Sequence, residues 1–220
     1  MDAMSGNRMS GSQTLLLLCG VASPVMYAVA DAVAGLSWVE YSFRDQTISE
    51  LGAIGAPTQS LFSGLLIPVY LLLLAFGAGV WRAGAERRRL RLAGAFLLGL
   101  AFLALAAGQF VPMQPRGTGQ GMQGALHLVE GAVAMMLVFA AMLSAAPVPG
   151  ARFRVYTLTT LVIVLVFGLW SGLDAPDIEA GLATPWLGVR ERIFWYAYQL
   201  WFAVFALALV REGRSQAGDR

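Results

Sequence analysis

His127 and Glu130 stand three residues apart at the start of one apolar stretch, so on a helix their side chains share a face. A histidine with a carboxylate in reach can serve as a general base and its orienting partner, or as a proton relay across a membrane. Gly131 and Ala134 continue that face with small residues and leave space for a partner or a pocket. Tyr27 and Asp31, four apart, and Ser171 and Asp174, three apart, are aligned in the same way. Glu50 adds another carboxylate, and Arg116, Arg190 and Arg192 add guanidinium forks suited to an anionic head group. The candidate catalytic residues are therefore His127, Glu130 and Glu50. The candidate ligand-binding residues are Asp31, Glu50, Arg116, His127, Glu130, Ser171, Asp174, Arg190 and Arg192.

Taken singly, each of these has an ordinary explanation. His127 reads as an interfacial hydrogen-bonding group, and Glu130 as the partner of Arg116 or Arg190 in an ion pair that fixes helix positions. Asp174, Asp177 and Glu179 read as a solvated acidic loop, and Trp195, Tyr196, Tyr198 and Trp201 as interfacial and packing aromatics. What goes beyond those explanations is the convergence of polar groups from several helix ends on one side.

Familiar chemical signatures are absent. There is no H-E-x-x-H, no G-x-S-x-G elbow, and no glycine-rich phosphate loop in a strand–helix setting. One histidine and one cysteine, Cys19, rule out a three-histidine zinc site, a Cys/His zinc site in a single chain and an internal disulfide. His127, Glu130 and a carboxylate such as Asp31 or Asp174 form a weak metal-binding pattern, and no metal is assigned from it. No motif identifies a cofactor.

The elements that must position these groups are membrane helices. The 220 residues are 58% hydrophobic and only 13% charged, about half the charge of a soluble domain, and the mean hydropathy is +0.67. A spanning helix needs about 20 mostly apolar residues, and six runs qualify: 14–36, 60–81, 90–111, 125–146, 155–173 and 193–210. They predict an all-α, polytopic six-helix bundle filling the chain as one domain, with no soluble domain. Small residues four apart, Ala30/Ala34 and Ala104/Gly108, suit close helix packing, as do many of the 25 glycines. Pro24 and Pro68 are expected to kink their helices.

Charge sets the orientation. All fifteen cations are arginines and most lie in short loops, which argues for a topology signal and against a nucleic-acid partner. With the N-terminus inside, the inner segments carry Arg8, Arg82, Arg87, Arg88, Arg89, Arg91, Arg152, Arg154, Arg211, Arg214 and Arg220, against Arg44, Arg116, Arg190 and Arg192 outside. The expected location is the cell (inner) membrane with both termini cytoplasmic. Arg8, the run from Leu15 and Ala28-Val29-Ala30 imitate a signal peptide, but the apolar run continues to Leu36, as an anchor would.

The segment Thr47-Ile48-Ser49-Glu50-Leu51-Gly52-Ala53-Ile54-Gly55-Ala56-Pro57 resembles a signature of the bacterial and archaeal membrane family called domain of unknown function 998. Phe110-Val111-Pro112-Met113, Arg116-Gly117, His127 and Gly188-Val189-Arg190-Glu191-Arg192 fit the same resemblance, which spans roughly residues 15–210. Met113-Gln114 departs from it, since an acidic residue often follows that proline. The resemblance implies a six-helix bundle with its motifs on one face and implies no activity. Read on its own, Thr47 or Ser49 can cap a short helix with Glu50 in its first turn, and Gly52, Gly55 and Pro57 allow a tight return. Glu50 is more readily a lock on the loops, through Arg116 or Arg190, than a reacting group.

Three functions compete. The first is binding or transport of a membrane lipid or small amphiphile in an outward-facing polar pocket. The second is a non-catalytic scaffold that assembles with partners, or as a homo-oligomer, through its loops and small-residue faces. The third is an outward-facing hydrolase or transferase using His127 and Glu130.

Overall fold

A computed structural model describes residues 10–119 and 121–218; Arg8 and Arg220 of the topology count lie outside the described residues. Among the described residues seven α-helices follow in order: α1 Gly11–Ser37, α2 Gln59–Ala83, α3 Arg88–Phe110, α4 Met122–Ala145, α5 Ala151–Gly172, the short α6 Ala175–Glu179, and α7 Leu187–Gly218. A 3-10 turn, Ile48–Gly52, sits between α1 and α2. Six of the helices are long and apolar enough to cross a membrane, and no strand occurs among the described residues. The protein is therefore a multi-pass membrane bundle. Much of its outer surface is apolar side chain, for example Leu15, Val155 and Leu169, each about two-thirds exposed. Such a surface suits lipid and not water.

The last spanning helix begins at Leu187, six residues before the apolar run that marks it in the sequence. Arg190, Glu191 and Arg192 thus lie inside a helix and not in the loop ahead of it. A hydropathy reading stops at such a triplet, but all three charges are satisfied or enclosed by neighbours, as described below.

Round the bundle the helices run α4, α3, α2, α1, α7, α5. Neighbours in that series pack along their length, whereas α5 and α4, which would close the ring, meet only sparsely. Close packing relies on glycine where backbones approach: a Cβ on Gly94 would lie 2.5 Å from the Trp81 backbone nitrogen, and one on Gly79 2.9 Å from Leu16. At the bundle centre Trp201 stacks on Phe205 (4.9 Å between centroids), which stacks on Phe153 (5.5 Å) and meets Phe76 edge-on (6.0 Å). Buried hydroxyls bind across helices: Ser23 of α1 donates to the Val69 carbonyl of α2 (3.0 Å), and the Trp201 indole donates to Thr157 of α5 (2.9 Å).

Three longer loops, 38–58, 111–119 and 173–186, emerge on one face and are knitted into a cap. Ile54 N–H donates to the Met113 carbonyl (3.0 Å), Gly117 N–H to Ile178 (2.9 Å) and Gly119 N–H to Glu179 (3.1 Å). The Thr184 hydroxyl and the Trp186 N–H both donate to Asp45, at 2.9 and 3.0 Å. Gly117 and Gly181 adopt positive φ (81° and 72°) and touch backbone to backbone, where a side chain on either would hold the loops apart.

Candidate functional site

Below the cap the polar residues sort into two groups: those consumed in holding the cap down, and those facing a cavity.

The first group is centred on Arg192. Its guanidinium donates to both Asp31 oxygens (Nε to Oδ2 3.0 Å, Nη2 to Oδ1 2.8 Å), a bidentate pair between the outer ends of α1 and α7. Nη2 also donates to the Tyr41 hydroxyl (2.7 Å), and Nη1 to the carbonyls of Phe43, Gly188 and Gln46 at 2.9–3.3 Å. Its five N–H groups are thus fully used. Asp31 accepts a third bond, from Tyr196 (2.6 Å), which stands one helical turn beyond Arg192. Tyr41 passes its own proton to the Thr47 carbonyl (2.8 Å), and burial pushes its phenol well above the ordinary range in spite of Arg192 beside it. Tyr27, expected on the Asp31 face, stacks on Trp195.

A second pair joins Glu50 to Arg116, bidentate at 2.9 Å for both bonds, with Arg116 Nη1 donating to the Leu182 carbonyl (2.9 Å). Thr47 and Glu50 complete a capping box on the 3-10 turn: the Thr47 side chain accepts from Glu50 N–H, and Glu50 Oε2 from Thr47 N–H (2.8 Å). The short capped helix expected at this segment is present, and Gly55, at φ 76°, makes the return. A third pair joins Arg190 to Asp174, with the guanidinium 5.0 Å above the Trp170 ring. At the surface Arg44 pairs with Asp45, whose carboxyl is held down at about 2 by that bond first and by the Trp186 N–H second.

The second group lines a cavity of about 480 Å3 at the α4/α5 seam, with α7 as its floor. Its body is apolar: Met135 and Phe139 from α4, Val164 and Leu165 from α5, and Phe194 and Trp195 from α7. Its polar lining consists of Thr47 and Ser49 from the cap, His127 and Glu130 from α4, Ser171 from α5 and Glu191 from α7. Gly131 and Gly172 have nothing within van der Waals reach of an added Cβ, and Gly168 only Phe194 at 4.0 Å. These glycines make room in the seam and do not bring backbones together.

Of the nine residues expected to bind a ligand, only His127, Glu130 and Ser171 line this cavity. Arg116, Arg190 and Arg192, the expected anion forks, are instead paired with Glu50, Asp174 and Asp31. Glu130 pairs with neither Arg116 nor Arg190. Among the described residues no hydrogen bond joins His127 to Glu130 or Glu50. His127 Nδ1 lies 3.1 Å from the Val111 carbonyl; donating to it leaves Nε2 of a neutral ring as an acceptor. Nor does any set of three or more His, Cys, Asp or Glu among the described residues gather as a metal site.

Glu191, Thr47 and Ser49 are polar cavity residues missing from the sequence-based set, and Glu191 is the ionisable one. It is buried, and one oxygen accepts from the Ile48 N–H of the 3-10 turn. The signal was available: Leu187, Glu191, Phe194 and Trp195 recur at helical spacing and form the cavity stripe of α7. Its two arginine neighbours point to other faces, toward Asp174 and Asp31.

Comparison with known proteins supplies a lineage without an activity. The family model described as a protein of unknown function, DUF998, matches residues 21–208. No curated protein and no solved structure matches the chain.

Proposed function

The chain belongs to the DUF998 family, and from that premise we propose that its cavity takes up a membrane lipid or small amphiphile sideways from the bilayer. The observation carrying this reading is the seam itself. A cavity of ligand size lies where α4 and α5 barely touch, beneath a cap tied down by ion pairs, so the route left to it is lateral. Leu128, Leu165 and Leu169 at the seam are each about half exposed or more, as residues meeting acyl chains would be. The tail lies among Phe139, Val164 and Phe194, and the head group rises to the polar lining under the cap. Binding is the core of the proposal; movement across the membrane would add opening of the cap.

The protein sits in the inner membrane with both termini in the cytoplasm and the cap outside. The arginine excess on the cap-free side supports this orientation. Labelling of Glu40→Cys, at an exposed cap position, in a Cys19→Ser background tests it: an impermeant maleimide applied to intact cells should react.

Native mass spectrometry of nanodisc-purified protein tests the cavity. Wild type should retain a hydrophobic adduct, and Gly131→Leu and Gly168→Leu, which fill the seam, should lose it while melting normally. Replacing Gly by Leu within a helix gains roughly 0.5–1 kcal/mol of propensity, so collapse is not the expected outcome. An adduct that persists in both variants places the ligand elsewhere and overturns the reading. A wild-type protein free of any adduct, and unable to take up added lipid, does the same.

A further inference from the structure

Resting on that cavity reading, we infer that the ligand's head group is a cation, an ammonium carried on an apolar tail. The inference follows from what the cap leaves over. Its four arginines are each paired: Arg44 with Asp45, Arg116 with Glu50, Arg190 with Asp174 and Arg192 with Asp31. Two carboxylates face the cavity, Glu130 and Glu191, and neither has a basic partner among the described residues. Glu191 is 7% exposed and holds a single hydrogen bond, from a backbone N–H, so one of its oxygens has no partner. Glu130 has no hydrogen bond among the described residues.

The remaining polar groups can also accept from a donor. The buried Ser171 Oγ lines the same cavity without a partner. With Nδ1 bonded to the Val111 carbonyl, neutral His127 offers Nε2 as an acceptor. The cavity therefore presents acceptors and two carboxyl groups without a counter-ion, and no cation that an anionic head group could use. A carboxylate in apolar surroundings is costly until a counter-ion joins it. An alkylammonium brings that charge and three N–H donors, and Trp195 and Phe194 line the wall beside it. A phosphate or carboxylate head group would meet two carboxyl groups and no cation to hold it.

The test uses full-length protein in nanodiscs and three radiolabelled probes of one chain length: dodecylammonium, dodecanol and dodecyl phosphate, each corrected for uptake by empty nanodiscs. Dodecylammonium should bind saturably and at least about tenfold more tightly than dodecanol, the scale of one charge-assisted hydrogen bond. Dodecyl phosphate should bind more weakly than either. Glu191→Gln, whose amide oxygen can still accept from Ile48, and Glu130→Gln should each reduce the preference for ammonium over alcohol about tenfold. Should Glu191→Gln fail to fold, Glu130→Gln decides, because its side chain has no structural hydrogen bond to lose. Equal binding of all three probes, or an unchanged preference in the variant that decides, overturns the cation inference and leaves the cavity reading standing. Failure of all three probes to exceed empty nanodiscs overturns the cavity reading itself.

Discussion

Removing the Asp31 carboxylate should be among the most damaging single changes to this protein. Asp31 accepts three bonds, two from Arg192 and one from Tyr196, and the side chains of the ion pair are 3% and 13% exposed. Asp31→Ala strands a buried guanidinium, a loss usually of about 3–5 kcal/mol. The lower end applies, because Arg192 keeps the Phe43, Gln46 and Gly188 carbonyls and the Tyr41 hydroxyl as acceptors. At roughly 2–4 °C per kcal/mol for a chain of this size, a loss of about 3 kcal/mol lowers Tm by roughly 6–12 °C. Thermal unfolding in a mild detergent, followed by tryptophan fluorescence, reads the shift. Arg192→Met alone should be at least as severe, since it leaves the buried Asp31 carboxylate without its cation and takes a donor from three carbonyls. The double variant should be less damaging than the sum of the two, by at least about 1 kcal/mol of coupling. A shift under about 2 °C for Asp31→Ala, or strict additivity, would refute the claim that this pair holds α1 to α7.

Two further perturbations probe the cap. A Cβ at Gly188 would press on the carbonyl oxygens of Gln46 and Phe43, so Gly188→Ala should cost about 1–3 kcal/mol by overpacking. Gly64→Ala, in open surroundings, should cost nothing, and equal melting of the two variants would show the crowding to be harmless. For Asp45 the sign follows from its lowered value: about 2 when folded, through Arg44 and then Trp186, against roughly 3.9 in an unfolded chain. Its contribution is present above about pH 4 and lost as pH falls through 2. The stability gap between wild type and Asp45→Asn should therefore close between pH 5 and pH 2, and a gap independent of pH would count against the pairing.

The helices were legible because a bilayer demands long apolar runs, and six such runs stand out whatever their neighbours do. The 3-10 turn was legible too, since Thr47 and Glu50 meet across three residues. Asp31 and Arg192 are a different matter. They are 161 residues apart, and spacing within a single helix carries no information about which helices stand side by side. For the same reason the sequence could align His127 with Glu130 but not show that α5 and α7 complete a cavity around them. It could display three arginines but not reveal that carboxylates elsewhere in the chain had already taken them. The change of sign in the expected head group, from anionic to cationic, comes entirely from those long-range pairings.

The clasp between α1 and α7 also bears on how the protein is made. Asp31 enters the membrane with α1, whereas Arg192 and Tyr196 belong to α7, which is synthesised later. Until α7 is inserted, the nascent bundle carries an uncompensated acid near the end of its leading helix, together with a Thr47–Glu50 turn still lacking its bond to Glu191. A chain stopped short of α7 is thereby marked as incomplete by its own chemistry, in a form that a membrane protease or chaperone can recognise. Insertion of α7 and removal of that mark are the same event.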